Sequence, residues 1–446
     1  MASTDRLHGE LSDIGALPRL AADWMAARLA HSPVGRLGDP DELAVGCSGS
    51  ISDEGLGVEA AWQRFTDVVA PNTLGLDSER FLAFIPVSPS AAAVWMDAVV
   101  GTANFSAESW LEAAGAVAAE REVIELLCRQ AGMPSGASGC FMSGGSIGNL
   151  SALAVARASA GDRRVVAVAD TVHASVGNAL HLLGQEPLVV PTGPGCRLTA
   201  DALRAAIGSR RDVGVVVASG GSTNAGVVDD LVGCADVAGD LDAWLHVDGA
   251  YGLAAMLLPE QRHRFAGIER ADSFIVDPHK WLFAPAGSCA LVYRDPALAR
   301  QVHTQRGPYI EVLHTADELY NPADLGFQLT RRASGMPLWF ALAVHGVEAH
   351  RRAIRVGIEL AQAMAEAIRA CPVAELAVEP ELGVVLFRRH GWASSEWRAW
   401  AARLLDAQVA FVAPTTLHGE PVGRLVFMHP RTPPSIVDEL IASLDS

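Results

Sequence analysis

Trp244-Leu245-His246-Val247-Asp248-Gly249-Ala250-Tyr251 decides how this chain is read. A short, mostly apolar run ends at a carboxylate, and two small residues follow. Such a run, without polar alternation, suits a strand buried on both faces. Others like it lie on either side, at 165–168, 188–190, 213–218, 274–276 and 290–293. Between them stand helical patterns at 148–159, 175–183, 200–207 and 229–241, with Thr199 placed as an N-cap. Strands alternating with helices predict an α/β domain on a parallel sheet, with ligands gathered at the C-terminal strand ends. Asp248 falls at such an end.

Further out the pattern changes. Helical patches at 17–29 and 57–69 are separated by a Gly/Asp/Pro/Ser-rich stretch at 35–53, which suggests an N-terminal segment that packs on something else. After Pro337 a helical stretch at 338–370 leads to strand-like runs at 383–387 and 424–428 and a helix from Pro434. The reading divides the chain into an N-terminal helical segment (1–80), a large domain (81–345) and a small α+β domain (346–446). A chain of 446 residues exceeds what one core usually serves.

The formal charge of −17 argues against a nucleic-acid surface, which needs basic stripes. Half the residues are apolar, but no run of eighteen uncharged apolar residues occurs, and Asp5, Arg6 and Glu10 interrupt the N-terminus. Neither a membrane span nor a signal peptide is expected, and a cytoplasmic location is. The seven cysteines are scattered without a C-x-x-C pair, so reduced thiols fit better than a zinc site or a disulfide framework.

Four stretches carry chemistry. Met142-Ser143-Gly144-Gly145-Ser146-Ile147-Gly148-Asn149-Leu150 runs small residues into a helical pattern, leaving backbone N–H groups open to an anion at a helix N-terminus, with Ser146 adding a hydroxyl. It matches neither nucleotide-binding glycine motif. Asp248 is suited to pair with a protonated pyridine nitrogen. Ala271-Asp272-Ser273-Phe274-Ile275-Val276-Asp277-Pro278-His279-Lys280-Trp281-Leu282 ends a strand at an amine in apolar company, where desolvation is expected to lower the lysine pKa and favour Schiff-base chemistry. In Asp170-Thr171-Val172-His173-Ala174-Ser175, an imidazole follows another strand end and suits a flat cofactor. Singly, these read as a tight turn, a capping Asp, a solvated Lys and a capping His. Together they supply a phosphate cradle, a ring partner, an imine-forming amine and a ring stack on one sheet.

The sequence resembles the pyridoxal-phosphate-dependent decarboxylases of the aromatic-amino-acid and glutamate decarboxylase group, from about Phe81 to Pro430. The resemblance rests on S-G-G-S-I-G-N-L-S-A-L, H-A-S-V, W-L-H-V-D-G-A-Y, A-D-S-F-I-V-D-P-H-K-W-L and P-T-T-L-H-G-E. It implies a fold type I, PLP-dependent transferase-like large domain and a homodimer with sites at the subunit interface. It implies pyridoxal 5'-phosphate held on Lys280, with Asp248 on the ring nitrogen, Ala250 and His173 on the two ring faces, and Gly145 and Ser146 on the phosphate. Thr223 would lie beside the cofactor and His279 precedes the lysine. Tyr309, in Arg306-Gly307-Pro308-Tyr309-Ile310, matches a mobile-loop tyrosine that enters the partner's site and protonates the carbanion; relatives that make aldehydes tend to carry phenylalanine there.

The side-chain pocket by resemblance would use Phe84, Ile85, Pro86, Glu108 and Trp110. The aromatic and aliphatic members suit an apolar or aromatic L-amino acid, whereas Glu108 would suit a basic group. Gly249, Ile147-Gly148, Asp277 and the run after Arg331-Arg332 depart from the common pattern and leave the substrate open. The expected activity is decarboxylation to an amine and carbon dioxide. The alternatives are a decarboxylating oxidase, a carbon–sulfur lyase, and a catalytically inactive assembly subunit.

Overall fold

The computed structural model of the chain describes residues 14–86, 88–314 and 320–445. Asp5, Arg6 and Glu10 of the predicted N-terminal segment lie outside the described residues.

The larger sheet is formed by β1 (Ser138–Met142), β2 (Val165–Ala169), β3 (Glu186–Val190), β4 (Val213–Ser219), β5 (Trp244–Asp248), β6 (Ser273–Val276) and β7 (Cys289–Tyr293). Their order is β1-β7-β6-β5-β4-β2-β3. Strands β3, β2, β4, β5 and β6 are mutually parallel. β7 runs antiparallel to both β6 and β1.

Two sequence expectations need correction here. The run at 188–190 is not a buried strand: β3 closes the sheet on one side, and Val189 is 56% exposed. An edge strand needs apolar cover on one face only, so its composition misleads. The run at 290–293 is not parallel to its neighbours, because it returns as a hairpin partner of β6. β1 went unread, since Ser-Gly-Cys-Phe-Met contains no β-branched residue.

Successive side chains of a strand point to opposite faces, and the core follows that rule. Ala167, Val216, Leu245, Val247, Phe274 and Val276 enter one apolar cluster. Val166, Val168, Val215, Val217, Trp244 and Ile275 enter the other. Both faces are therefore dry, as the unalternating runs imply. The helix Gly145–Ser159 follows β1 and packs on the second face through Ala152, Leu153 and Ala156. It begins three residues before the predicted start, because Gly144 and Gly145 already belong to its first turn.

A second, antiparallel sheet of β8 (Ala374–Val378), β9 (Val384–Arg389), β10 (Thr415–Leu417) and β11 (Glu420–Val426) has the order β10-β11-β9-β8. Phe387 and Phe427 pack there against Trp397 and Trp400 of the helix Ser394–Asp406. The long helix Met336–Ala370 leads into this sheet and breaks at Gly346, whose φ of 75° no ordinary helical residue adopts. The N-terminal helices Leu17–Ala30, Pro40–Cys47 and Val58–Arg64 bury no residue in this chain. The middle one lies in the stretch read as irregular, yet Asp39 caps it, accepting from the backbone of Asp41 and Glu42. No described helix is long and apolar enough to cross a membrane.

Candidate active site

Five strand ends deliver side chains to one cavity of about 380 Å³. β1 contributes Ser143 to Ser146, β2 leads to His173, β4 to Thr223, β5 ends at Asp248, and β6 is followed by Asp277, His279 and Lys280. Gly145, Ser146, His173, Thr223, Asp248, Ala250, His279 and Lys280 are thus brought together.

The floor near Ser146 is the N-terminus of the helix Gly145–Ser159. The amides of Ile147 and Gly148 are bonded to the Gly144 carbonyl. The amides before them have no helical carbonyl to reach, which is the usual anion-binding end of a helix. A Cβ on Gly145 would lie 2.8 Å from Asp277 Oδ2, so only glycine keeps this approach open.

Asp248 is buried at the end of β5, opposite Ser219 of β4. Its Oδ1 accepts from the Ala250 amide at 3.2 Å and its Oδ2 from Asn149 Nδ2 at 3.0 Å. Asn149 also donates to Ser175 Oγ and accepts from His246 Nε2. His246 is fully buried, and burial pushes its pKa down to about 4 although Asp248 pulls the other way. His173 caps the helix Ala174–Leu183; its Nδ1 lies 2.8 Å from Ser175 Oγ and accepts from the Ser175 amide at 3.2 Å.

Lys280 Nζ stands 3.1 Å from Asp277 Oδ2. Burial works against the ammonium, but the charges of Asp277 and then Asp248 outweigh it, and the pKa is raised. The expectation of a lowered lysine pKa is therefore corrected: it counted the apolar neighbours and left out two carboxylates. His279 turns Nδ1 to the backbone of Ser288. Thr223 is held from behind, where Arg424 of β11 donates to the Thr223 and Asn224 carbonyls. Tyr251, another lining residue, accepts from the Gly383 amide. The small sheet thus braces the cavity wall.

The remaining predicted residues do not line this cavity. Tyr309 is 78% exposed and Phe84 58%. Phe84 has a left-handed φ of 53° and leans on Phe81 and Phe411. Ile85 is half-buried and Pro86 buried. Glu108 accepts from Ser106 Oγ, and the Trp110 amide donates to Asn321. Sequence reasoning missed Asn149, Ser175, His246 and Asp277 as site residues. The available sign was polarity in the wrong place: Asn149 sits on an otherwise apolar helix face, and His246 interrupts a buried strand.

The residues fit pyridoxal phosphate. A glycine-lined helix end can take its phosphate, a carboxylate its ring nitrogen and an amine its aldehyde, all within one pocket. The profile of the pyridoxal-dependent decarboxylase conserved domain matches residues 40–390. The aromatic-L-amino-acid decarboxylase of Bacillus atrophaeus is 33% identical over 372 residues, covering 81% of this chain and 78% of that protein. An L-2,4-diaminobutyrate decarboxylase of Rhizobium meliloti is 28% identical over 424 residues, covering 88% and 83%. The crystal structure of Oryza sativa TDC with PLP and tryptamine superposes with a TM-score of 0.90 at 25% identity, covering 98% of each chain. The chain belongs to the pyridoxal-dependent decarboxylase family, and its activity is the pyridoxal-phosphate-dependent removal of the carboxyl group from an amino acid.

Proposed function

We propose that the enzyme decarboxylates an apolar or aromatic L-amino acid to its amine, in the cytoplasm, as a homodimer whose sites lie at the subunit interface. The observation that carries the reading is that Lys280 and Asp248 face one small cavity whose third wall is the N-terminus of the helix Gly145–Ser159.

The amides of Gly145 and Ser146, with the Ser146 hydroxyl, would receive the phosphate. Asp248 would keep a proton on the ring nitrogen, while Ala250 and His173 would flank the ring and Thr223 would border it. Bound pyridoxal phosphate supplies an aldehyde that condenses with amines and a ring that accepts the electron pair left by departing carbon dioxide. Lys280 is the amine that would hold that aldehyde, and His279, bonded to the Ser288 backbone, buttresses the lysine turn. Tyr309 returns a proton to the substrate Cα, which favours an amine product over an aldehyde.

The substrate class and the dimer have a common support. Phe84, Phe105, Leu111, Tyr309 and Phe327 are large, exposed and apolar or aromatic. Phe84 is also held in a backbone conformation that bulky residues avoid, which points to a functional demand at that position. A second subunit covering them would set Phe84, Ile85, Pro86 and Trp110 around a substrate side chain, with Glu108 at its margin. All the cysteines are free, in keeping with a reducing compartment.

The test is a screen of common and noncanonical amino acids for carbon dioxide and amine, with peroxide measured alongside. Aromatic substrates forming amine without peroxide are expected; turnover confined to basic substrates sinks the proposed class. Lys280→Ala is expected to leave no covalent cofactor adduct after borohydride reduction of the loaded enzyme, and survival of such an adduct overturns the site.

A further inference from the structure

A continuous hydrogen-bonded chain runs beneath the cavity, and chemistry fixes its direction. Trp244 Nε1, which only donates, bonds to Ser273 Oγ at 2.9 Å. Ser273 Oγ lies 2.8 Å from His246 Nδ1. At the other end, a carboxylate at Asp248 only accepts, so the Asn149 atom 3.0 Å from it is the amide nitrogen. That turns Asn149 Oδ1 toward His246 Nε2, 2.9 Å away, which must then carry the imidazole proton. Burial lowers the His246 pKa to about 4 and so keeps the ring neutral, with Nδ1 bare and accepting from Ser273. Every member of the chain is satisfied in one orientation only.

The second hydrogen of the Asn149 amide goes to Ser175 Oγ at 3.0 Å. Ser175 Oγ is left with one proton, directed at His173 Nδ1, which also accepts the Ser175 amide. His173 Nδ1 is therefore bare, and its proton sits on Nε2.

We propose that Asn149 is a positioning residue for the reaction, whose carboxamide, oriented by His246, sets both the Asp248 carboxylate and, through Ser175, the His173 imidazole. Asn149 is 1% exposed; its direct partner Asp248, and His173, which it reaches through Ser175, border the cavity on different strand ends. One side chain thus fixes the partner of the ring nitrogen and the partner of a ring face together. Buried polar groups linked in this way act as a unit rather than as separate contacts. The inference rests on the roles given above to Asp248 and His173.

The two branches separate in a double-mutant cycle on the cofactor-loaded enzyme, using Asn149→Leu, Ser175→Ala and the double variant. Cofactor affinity is read by titrating the cofactor-free proteins, ring orientation by circular dichroism in the visible band, and turnover by amine release. Ser175→Ala cuts only the His173 branch, so turnover and the visible dichroic signal fall by about tenfold or less while cofactor affinity holds. Asn149→Leu cuts both branches and weakens cofactor affinity by about tenfold as well. The two turnover losses combine to less than their product, because the same branch is cut twice. Multiplying losses, or unchanged cofactor affinity in Asn149→Leu, would overturn the proposal. Thermal melting confirms folding, and Asn149→Ala replaces the leucine variant if that one does not fold. Persistence of a borohydride-fixed cofactor adduct in Lys280→Ala instead overturns the reading of the site itself and this inference with it.

Discussion

Lys280 Nζ and Asp277 Oδ2 form an ion pair of 3.1 Å across a single turn of chain, inside the cavity proposed to take the cofactor. The amine that must be neutral to attack an aldehyde is thereby held as an ammonium. Asp277 is 2% exposed, and its Oδ1 has no hydrogen-bond partner among the described residues.

Replacing that carboxylate changes the pH at which Lys280 becomes available. Burial lowers the Lys280 pKa, and Asp277 is the largest influence raising it. Asp277→Asn removes that influence, so the folded-state pKa falls and more neutral amine exists at any given pH. A pH titration of the visible absorbance after adding cofactor should give a midpoint at lower pH in the variant. An unmoved or higher midpoint contradicts the role given to the pair.

Gly145→Ala tests the anion end. The added Cβ would stand 2.8 Å from Asp277 Oδ2 and 3.1 Å from its Oδ1. The first contact is too close and the second is tight, so the helix start or the Asp277 side chain must move, at about 1–3 kcal/mol of strain. The expected result is cofactor affinity weakened by about tenfold in equilibrium dialysis, with helical content retained. Unchanged affinity would place the phosphate elsewhere.

Much of this cavity's lining is legible in the sequence. Asp248, Lys280 and His173 each follow an apolar run, strand ends are where a parallel sheet puts its ligands, and the Gly145-Ser146 turn opens a helical pattern. Asn149 and His246 were not legible as partners, because hydrogen bonds between residues so far apart in sequence leave no local pattern. The raised Lys280 pKa is hidden for a related reason: the approach of Asp277 to Nζ depends on the turn through Pro278, which sequence alone does not give. β1 and β3 failed on composition, one for want of β-branched residues and the other for having them at an exposed edge. Tyr309 and Phe84 are conspicuous in sequence but solvent-facing in the chain, so the roles proposed for them rest on the second subunit proposed to cover them.

His246 gives a stability signature. Its folded-state pKa is pushed down to about 4 from an ordinary value of 6.5. Between those values the unfolded chain binds a proton that the folded chain refuses, so stability rises with pH across that window. The contribution is complete above pH 6.5 and is lost as pH falls toward 4. His246→Gln should flatten the dependence of unfolding free energy on pH there by about one proton. Denaturant unfolding at several pH values measures it, and an unaltered slope would mean that His246 is protonated in the fold.

Tyr309 supplies the strictest test of the proposed dimer. If it acts in the partner's site, Tyr309→Phe diverts product from amine toward aldehyde, ammonia and peroxide, with oxygen consumed as oxidant. Lys280→Ala alone is expected to be inactive. In a hybrid dimer carrying one lesion per subunit, the site on the Tyr309→Phe subunit keeps its own Lys280 and receives an intact Tyr309 from across the interface. Such hybrids should recover about half of the wild-type amine formation, since one of two symmetric sites is whole. Were Tyr309 to serve its own subunit, that surviving site would carry the phenylalanine and release peroxide instead. Co-expression with two affinity tags isolates the hybrid, and the amine-to-peroxide ratio decides which subunit the tyrosine serves.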